Sequence, residues 1–269
     1  MVIIMFNLFL NTNPIIQSFI AGIFTFSITM LGSAIVFLFK KINKTIMDIM
    51  LSISAGIMIS TSFFSLLLPA INSLNLKNVS STFFISFSFI FGSIILALGD
   101  KIITKLSNNM NGDITDFKSC IMLFFSITLH NIPEGLVIGV SFASYAFLGD
   151  ITNIMSAIAL TIGIAIQNFP EGAAISLPFR RNGFSMKKSF VFGALSAIVE
   201  PIFACIGALL ILKIQNLLPF IMSFTAGAMI FVTVVELIPE SQNNEKKDLM
   251  GLFFIVGFVI MMILELLLD

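Results

Sequence analysis

The fold class predicted by this sequence is an all-α polytopic membrane protein with eight transmembrane helices in a 3+2+3 inverted-repeat arrangement. Three observations predict it. Of 269 residues, 58% are hydrophobic and only 10% are charged, too little charge to cover a soluble globule of this size. Apolar runs long enough to cross a bilayer recur along the whole chain. A segment of the second run, Ser52-Ile53-Ser54-Ala55-Gly56-Ile57-Met58-Ile59, is echoed in the seventh by Ser223-Phe224-Thr225-Ala226-Gly227-Ala228-Met229-Ile230 at a constant offset of 171.

The runs place spans at about 14–39, 48–70, 82–104, 119–145, 152–178, 188–212, 217–239 and 250–268. Asn13-Pro14 opens the first as an N-cap followed by proline at the first helical position. Met1–Leu10 has no Lys or Arg and no small-residue cleavage site follows it, which does not match a cleaved signal peptide. Polar breaks separate the spans: Lys40–Lys44, Asn72–Ser80, Lys105–Lys118, Gly149-Asp150, Arg180–Lys188, Lys213–Asn216 and Ser241–Asp248. No soluble domain stands between them, so residues 1–269 read as one transmembrane unit.

Charge orients the spans. The breaks after spans one, three, five and seven hold 12 Lys or Arg, and the opposite side holds only Lys77 and Lys213. The positive-inside rule then puts both termini outside the cytoplasm of a cell-membrane protein. Span two enters from inside and span seven from outside, so the echoed segments are inverted, as in many secondary transporters. A formal net charge of zero argues against a nucleic-acid partner. Cys120 and Cys205 both fall in apolar spans and read as packing residues.

Two near-copies of one pattern carry the chemistry. His130-Asn131-Ile132-Pro133-Glu134-Gly135 lies in span four and Gln167-Asn168-Phe169-Pro170-Glu171-Gly172 in span five. A carboxylate in a bilayer costs roughly 2.5–3.5 kcal/mol on insertion scales, so two matched copies imply a polar site between the helices. His130 and Glu134 are four apart and share a helix face; Gln167 and Glu171 repeat that geometry. Asn131 and Asn168 sit about 100° round. Pro133 and Pro170 give no N–H and bend their spans, which is tolerated where a helix lines a protein-enclosed cavity. Glu200-Pro201 adds a third carboxylate in span six. Glu236 sits among apolar neighbours in span seven, and Glu240 follows Pro239. Oxygen ligands with one imidazole suit a divalent metal.

These motifs resemble the ZIP (Zrt/Irt-like) family of divalent metal transporters, in particular its bacterial GufA-like branch. The resemblance runs over the paired motif, Glu-Pro in span six, Ser-Ala-Gly-Ile-Met in span two and Glu-Leu-Ile-Pro-Glu in span seven. It implies import of a divalent cation, most often zinc, with cadmium, iron, manganese and cobalt as alternative cargo and no resident cofactor. It implies two metals side by side at mid-membrane. His130, Glu134, Gln167 and Glu171 match ligands of the first, and Asn131, Asn168 and Glu200 those of the second, with Glu134 and Glu171 bridging. Met58 matches a residue lining the primary site, Ser65 a polar position on the outer side and Glu236 an acidic one on the release side; Ser65 and Glu236 are themselves 171 apart. A homodimer is implied by analogy alone. Many relatives have histidine where this chain has Gln167, and a carboxamide is a weaker, harder ligand that relaxes zinc selectivity. Ser107–Asp116 lacks the histidines of many relatives, which speaks against metal sensing there.

The main rival is a metal-dependent intramembrane hydrolase. Such a site wants three strong ligands, an open position and a base; this chain has a single histidine and no His-Glu-x-x-His. An ion-coupled carrier for an organic solute and a metal-gated receptor are the further alternatives.

Overall fold

The computed structural model describes residues 9–39, 43–74, 79–108, 115–148 and 151–268. Most of Met1–Leu10, Lys40, Lys41, Lys77, the Asn-rich centre of the break before span four and Gly149-Asp150 lie outside these residues. No strand occurs among the described residues. Among the described residues, eight helices are long and apolar enough to cross a membrane: α1 Pro14–Leu38, α2 Lys44–Asn72, α3 Val79–Lys105, α4 Cys120–Ser144, α5 Ile154–Arg181, α6 Met186–Lys213, α7 Gln215–Gln242 and α8 Lys247–Leu267. The protein is therefore a multi-pass membrane protein.

Local chemistry starts and stops these helices. The Asn13 carboxamide accepts from Ile15 N ahead of Pro14, and Asn43 caps α2 through Thr45 N. Ser185 caps α6 through Lys188 N. Helix α5 ends where Gly183 takes φ 88°, with Phe184 N returning to Phe179 O. That left-handed turn suits glycine, which has no Cβ to clash.

Burial separates inner from outer helices. About 72% of the apolar window of α5 is buried, against 22% for α3 and for α8. The exposed faces of α3 and α8 carry Phe83, Phe87, Ile90, Leu252 and Leu266, side chains suited to lipid. Four crossings dominate: α1 on α5, α4 on α6, α2 on α8 and α3 on α7. Glycines bring the backbones together in each, as is common where no aqueous hydrophobic drive assists packing. Gly56 faces the Phe254 carbonyl and Gly257 the Ile53 carbonyl where α2 meets α8. Gly227 faces the Phe89 carbonyl and Gly92 the Phe224 carbonyl where α7 meets α3. The two crossings have the same register: α2 maps onto α7 at an offset of 171, and α3 onto α8 at 165.

Three irregularities position the site. Helices α2 and α7 each contain a π-helical segment, Ser62–Leu67 and Thr233–Leu237. Each lies just ahead of a proline, and the Leu68 and Ile238 amides reach back five residues to Phe63 O and Thr233 O. Such widened turns gather at functional sites. Helix α6 is interrupted at Ser196–Ile198, between Met186–Leu195 and Val199–Lys213. Pro201 lacks the N–H that would bind Ala197 O, and Glu200 falls in the first turn of the second segment.

Gly227→Ala would drive a Cβ into the Phe89 carbonyl, whereas a Cβ at Gly251 meets nothing within 4 Å. Gly227→Ala is expected to destabilise by about 1–3 kcal/mol, the usual cost of overpacking, and Gly251→Ala to leave the melting temperature unchanged. Thermal melts in detergent check both.

Candidate metal pathway

The proline-bent halves of α4 and α5 meet the break in α6. Glu134, Gln167, Asn168 and Glu200 are fully buried, and Asn131, Glu171 and His130 nearly so. Gln167 Nε2 donates to Glu134 Oε1 at 2.5 Å. Asn168 Nδ2 donates to Glu200 Oε1 at 2.9 Å. Asn131 Nδ2 donates to Ser196 O at 3.0 Å, satisfying a carbonyl freed at the α6 break. Gly135 permits this approach, since a Cβ there would stand 2.6 Å from Glu200 O. Glu134 lies within electrostatic reach of both Glu171 and Glu200.

The balance of donors and acceptors identifies the chemistry. Each carboxamide spends its N–H on a carboxylate or carbonyl, and its oxygen is left over. Asn131 Oδ1, Glu134 Oε2, Gln167 Oε1, Asn168 Oδ1, Glu171 Oε2 and Glu200 Oε2 are all buried without a hydrogen-bond partner among the described residues. Buried acceptors cost free energy unless something positive meets them. No Lys or Arg in α4, α5 or α6 stands near these oxygens in sequence; the basic residues there lie toward the helix ends. Six unpartnered oxygens, three of them on carboxylates, fit a hard or borderline divalent cation.

A second group lies on the open side of this layer. His130 Nε2 is 2.9 Å from Glu236 Oε1. Ser126 Oγ donates to Glu236 Oε1 at 2.8 Å and contacts Asp100 Oδ1 at 3.3 Å. Asp100, His130 and Glu236 each offer one ligand atom, all within 4.8 Å of one another. His130, Glu171 and Glu236 line a cavity of about 1440 Å³ whose mouth carries Lys44, Arg181, Lys246 and Lys247. The rim is tied by Lys44 Nζ to Asn243 O at 2.5 Å and by Asn244 Nδ2 to Asp48 Oδ2 at 2.6 Å.

Nearer the C-terminal end of α8, the Ser65 hydroxyl in the π-helical turn of α2 donates to Glu265, which is buried. Met58 Sδ lies 3.7 Å from Thr233 Oγ1. Among the residues picked out by sequence, Glu134, Gln167, Asn168, Glu171 and Glu200 come together around α4–α6. His130 instead engages Glu236 through Nε2. Ser65 and Glu236, 171 residues apart, each meet an acidic or imidazole partner of their own.

Sequence reasoning missed Asp100, Ser126 and Glu265. Asp100 stands next to Lys101 inside the third span, outside both copies of the paired motif. Its available signal was its register: Asp100 and Glu265 are related by the same 165 offset that aligns α3 with α8.

Asn131→Ala would leave Ser196 O buried and unpaired. The expected loss is roughly 1–3 kcal/mol, read as a lowered melting temperature, while Asn131→Asp, which cannot donate from an ionised side chain, gives a similar loss.

Comparison with known proteins places this architecture. The family model described as "ZIP Zinc transporter" matches residues 114–265. Zinc transporter ZIP11 of Xenopus tropicalis is 30% identical over 94% of this chain and 97% of its own length. Zinc transporter ZupT of Clostridium perfringens is 32% identical over 93% and 95%. Zinc transporter GufA of Myxococcus xanthus is 35% identical over 56% and 57%.

Proposed function

The chain belongs to the ZIP family, and from that premise we propose that it carries divalent metal, chiefly zinc, across the cell membrane into the cytoplasm. The relatives named above are zinc transporters; metal is cargo here rather than a cofactor. The observation that carries the reading is the set of six buried, unpartnered oxygens on α4, α5 and α6. Glu134, Gln167 and Glu171 with His130 hold one cation. Asn131, Asn168 and Glu200 hold a second, with Glu134 and Glu171 bridging. Two carboxylates shared between two cations offset charge that a low-dielectric site could not otherwise hold.

The direction follows from the cavity. Its mouth gathers Lys44, Arg181, Lys246 and Lys247, and the positive-inside rule assigns that side to the cytoplasm. Both termini then lie outside. The conformation is open inward. His130 alternates between the sealed ligands and Glu236, so Asp100, Glu236 and Ser126 receive the metal as it leaves. Successive weak sites of this kind allow release. Ser65 and Glu265 close the outer side. The matched glycine crossings α2–α8 and α7–α3 support a 3+2+3 inverted repeat, in which α1, α4, α5 and α6 move against α2, α3, α7 and α8 within one transmembrane unit.

The test is radioactive zinc uptake into proteoliposomes. Saturable uptake is expected for the wild type and is lost in Glu134→Ala/Glu171→Ala; cobalt, manganese, iron and cadmium competition ranks the cargo. Asp100→Asn is expected to slow turnover about tenfold while the sealed site still binds metal, a loss typical of a residue acting beyond the primary ligands. Metal binds deprotonated carboxylates and neutral imidazole, so protons compete. Uptake is therefore expected to fall as pH drops from about 7.5 to about 5, and a flat profile would count against carboxylate ligation. Peptide or lipid cleavage by folded protein that shows no flux would favour the hydrolase instead.

A further inference from the structure

Helices α2 and α7 make the same local bonds at the same register. Ser62 Oγ donates to Met58 O at 2.7 Å, and Thr233 Oγ1 donates to Met229 O at 2.8 Å; both pairs are related by the 171 offset. One bond breaks this correspondence. Ser54 Oγ reaches across from α2 to α5 and donates to Gln167 O at 3.2 Å. Its equivalent on α7 is Thr225, which is fully buried and whose hydroxyl has no hydrogen-bond partner among the described residues. Gln167 in α5 corresponds to His130 in α4 through the paired motif. As α2 packs on α5, so α7 packs on α4. The bond present on one side of the molecule thus has a donor and an acceptor waiting on the other.

We propose that Thr225 is a positioning residue for the opposite conformation: when the protein opens outward, Thr225 Oγ1 donates to His130 O while Ser54 releases Gln167 O. The inference rests on the alternating-access reading above. A buried hydroxyl without a partner is costly, and the cost is confined to one state if the partner is met in the other. A carbonyl has two lone pairs, so His130 O can accept this hydroxyl and keep its helical amide. Each hydroxyl grips the backbone of a residue read as a metal ligand, Gln167 in the inward state and His130 in the outward one. The exchange therefore sets the balance between states and the height of the ligand-bearing helix in each.

Pulsed electron-spin distance measurements in lipid nanodiscs test this, with labels on Arg181→Cys at the end of α5 and Glu245→Cys in the connection between α7 and α8, two exposed positions at the cavity mouth, and Cys120→Ser and Cys205→Ala as background. Ser54→Ala is expected to raise the ratio of closed-mouth to open-mouth distances roughly fivefold, the population equivalent of one net hydrogen bond. Thr225→Ala is expected to lower that ratio by a similar factor. Thr225→Ser, which keeps the hydroxyl, should match the wild type, and Ser54→Ala/Thr225→Ala should return to it. A shift in the same direction for both single variants, or a double variant that stays at the Ser54→Ala value, overturns the proposal; general loosening of the fold has no way to produce opposite shifts that cancel. The readout is conformation, not flux, so failed zinc uptake would sink the transport reading without deciding this one.

Discussion

Everything in this protein is arranged around an excess of hydrogen-bond acceptors sealed away from water. Three glutamates and three carboxamides converge on α4, α5 and α6; each carboxamide gives an N–H to a carboxylate or carbonyl, and six of the oxygens have no hydrogen-bond partner among the described residues. Neutral packing cannot resolve that imbalance, because carboxylates accept and never donate when ionised. A cation can. The surrounding fold supplies the low-dielectric walls that make the attraction strong and the irregular backbone that makes the approach of three helices feasible.

That irregularity is built from proline and glycine in a consistent way. Pro133, Pro170 and Pro201 each remove a backbone donor at the depth of the site, and Asn131 reclaims one exposed carbonyl at the α6 break. Gly135 lets α6 come against α4 at Glu200, while Gly22 does the same between α1 and Pro201. The same devices recur at the periphery, where Gly56, Gly257, Gly92 and Gly227 knit α2 to α8 and α3 to α7. Glu134, Gln167, Asn168, Glu171 and Glu200 ride on one set of helices, and the π-helical turns carrying Ser65 and Glu236 belong to the other. In the proposed transport cycle, relative movement of the two sets changes which polar group on α2 or α7 faces the metal.

The asymmetry of the present conformation is visible in side-chain partners more than in the helices themselves. Glu236 opens onto a wide cavity beside His130 and Asp100, and Ser65 is tied to Glu265. Asp100 and Glu265 occupy equivalent positions at the 165 offset, as do Glu236 and Ser65 at 171. In the inverted repeat proposed above, two copies of one helical unit cannot both satisfy identical contacts at once, and that bistability is the proposed basis for exposure to alternate sides.

Much of this was legible from the chain. Span number followed from apolar runs, because a bilayer forces every crossing segment to be long, helical and apolar. The convergence of Glu134, Gln167, Asn168, Glu171 and Glu200 was legible too, since carboxylates and prolines inside apolar helices are tolerated where those helices enclose a polar cavity together. Tertiary structure alone decided the rest. His130 pairs with Glu236 across more than one hundred residues of sequence, and Asp100 joins them from the third span, outside both copies of the paired motif. Glu265 meets Ser65 from the opposite end of the chain. No local pattern encodes such partners, because they depend on which faces of rigid helices are brought together by glycine contacts far from the residues themselves.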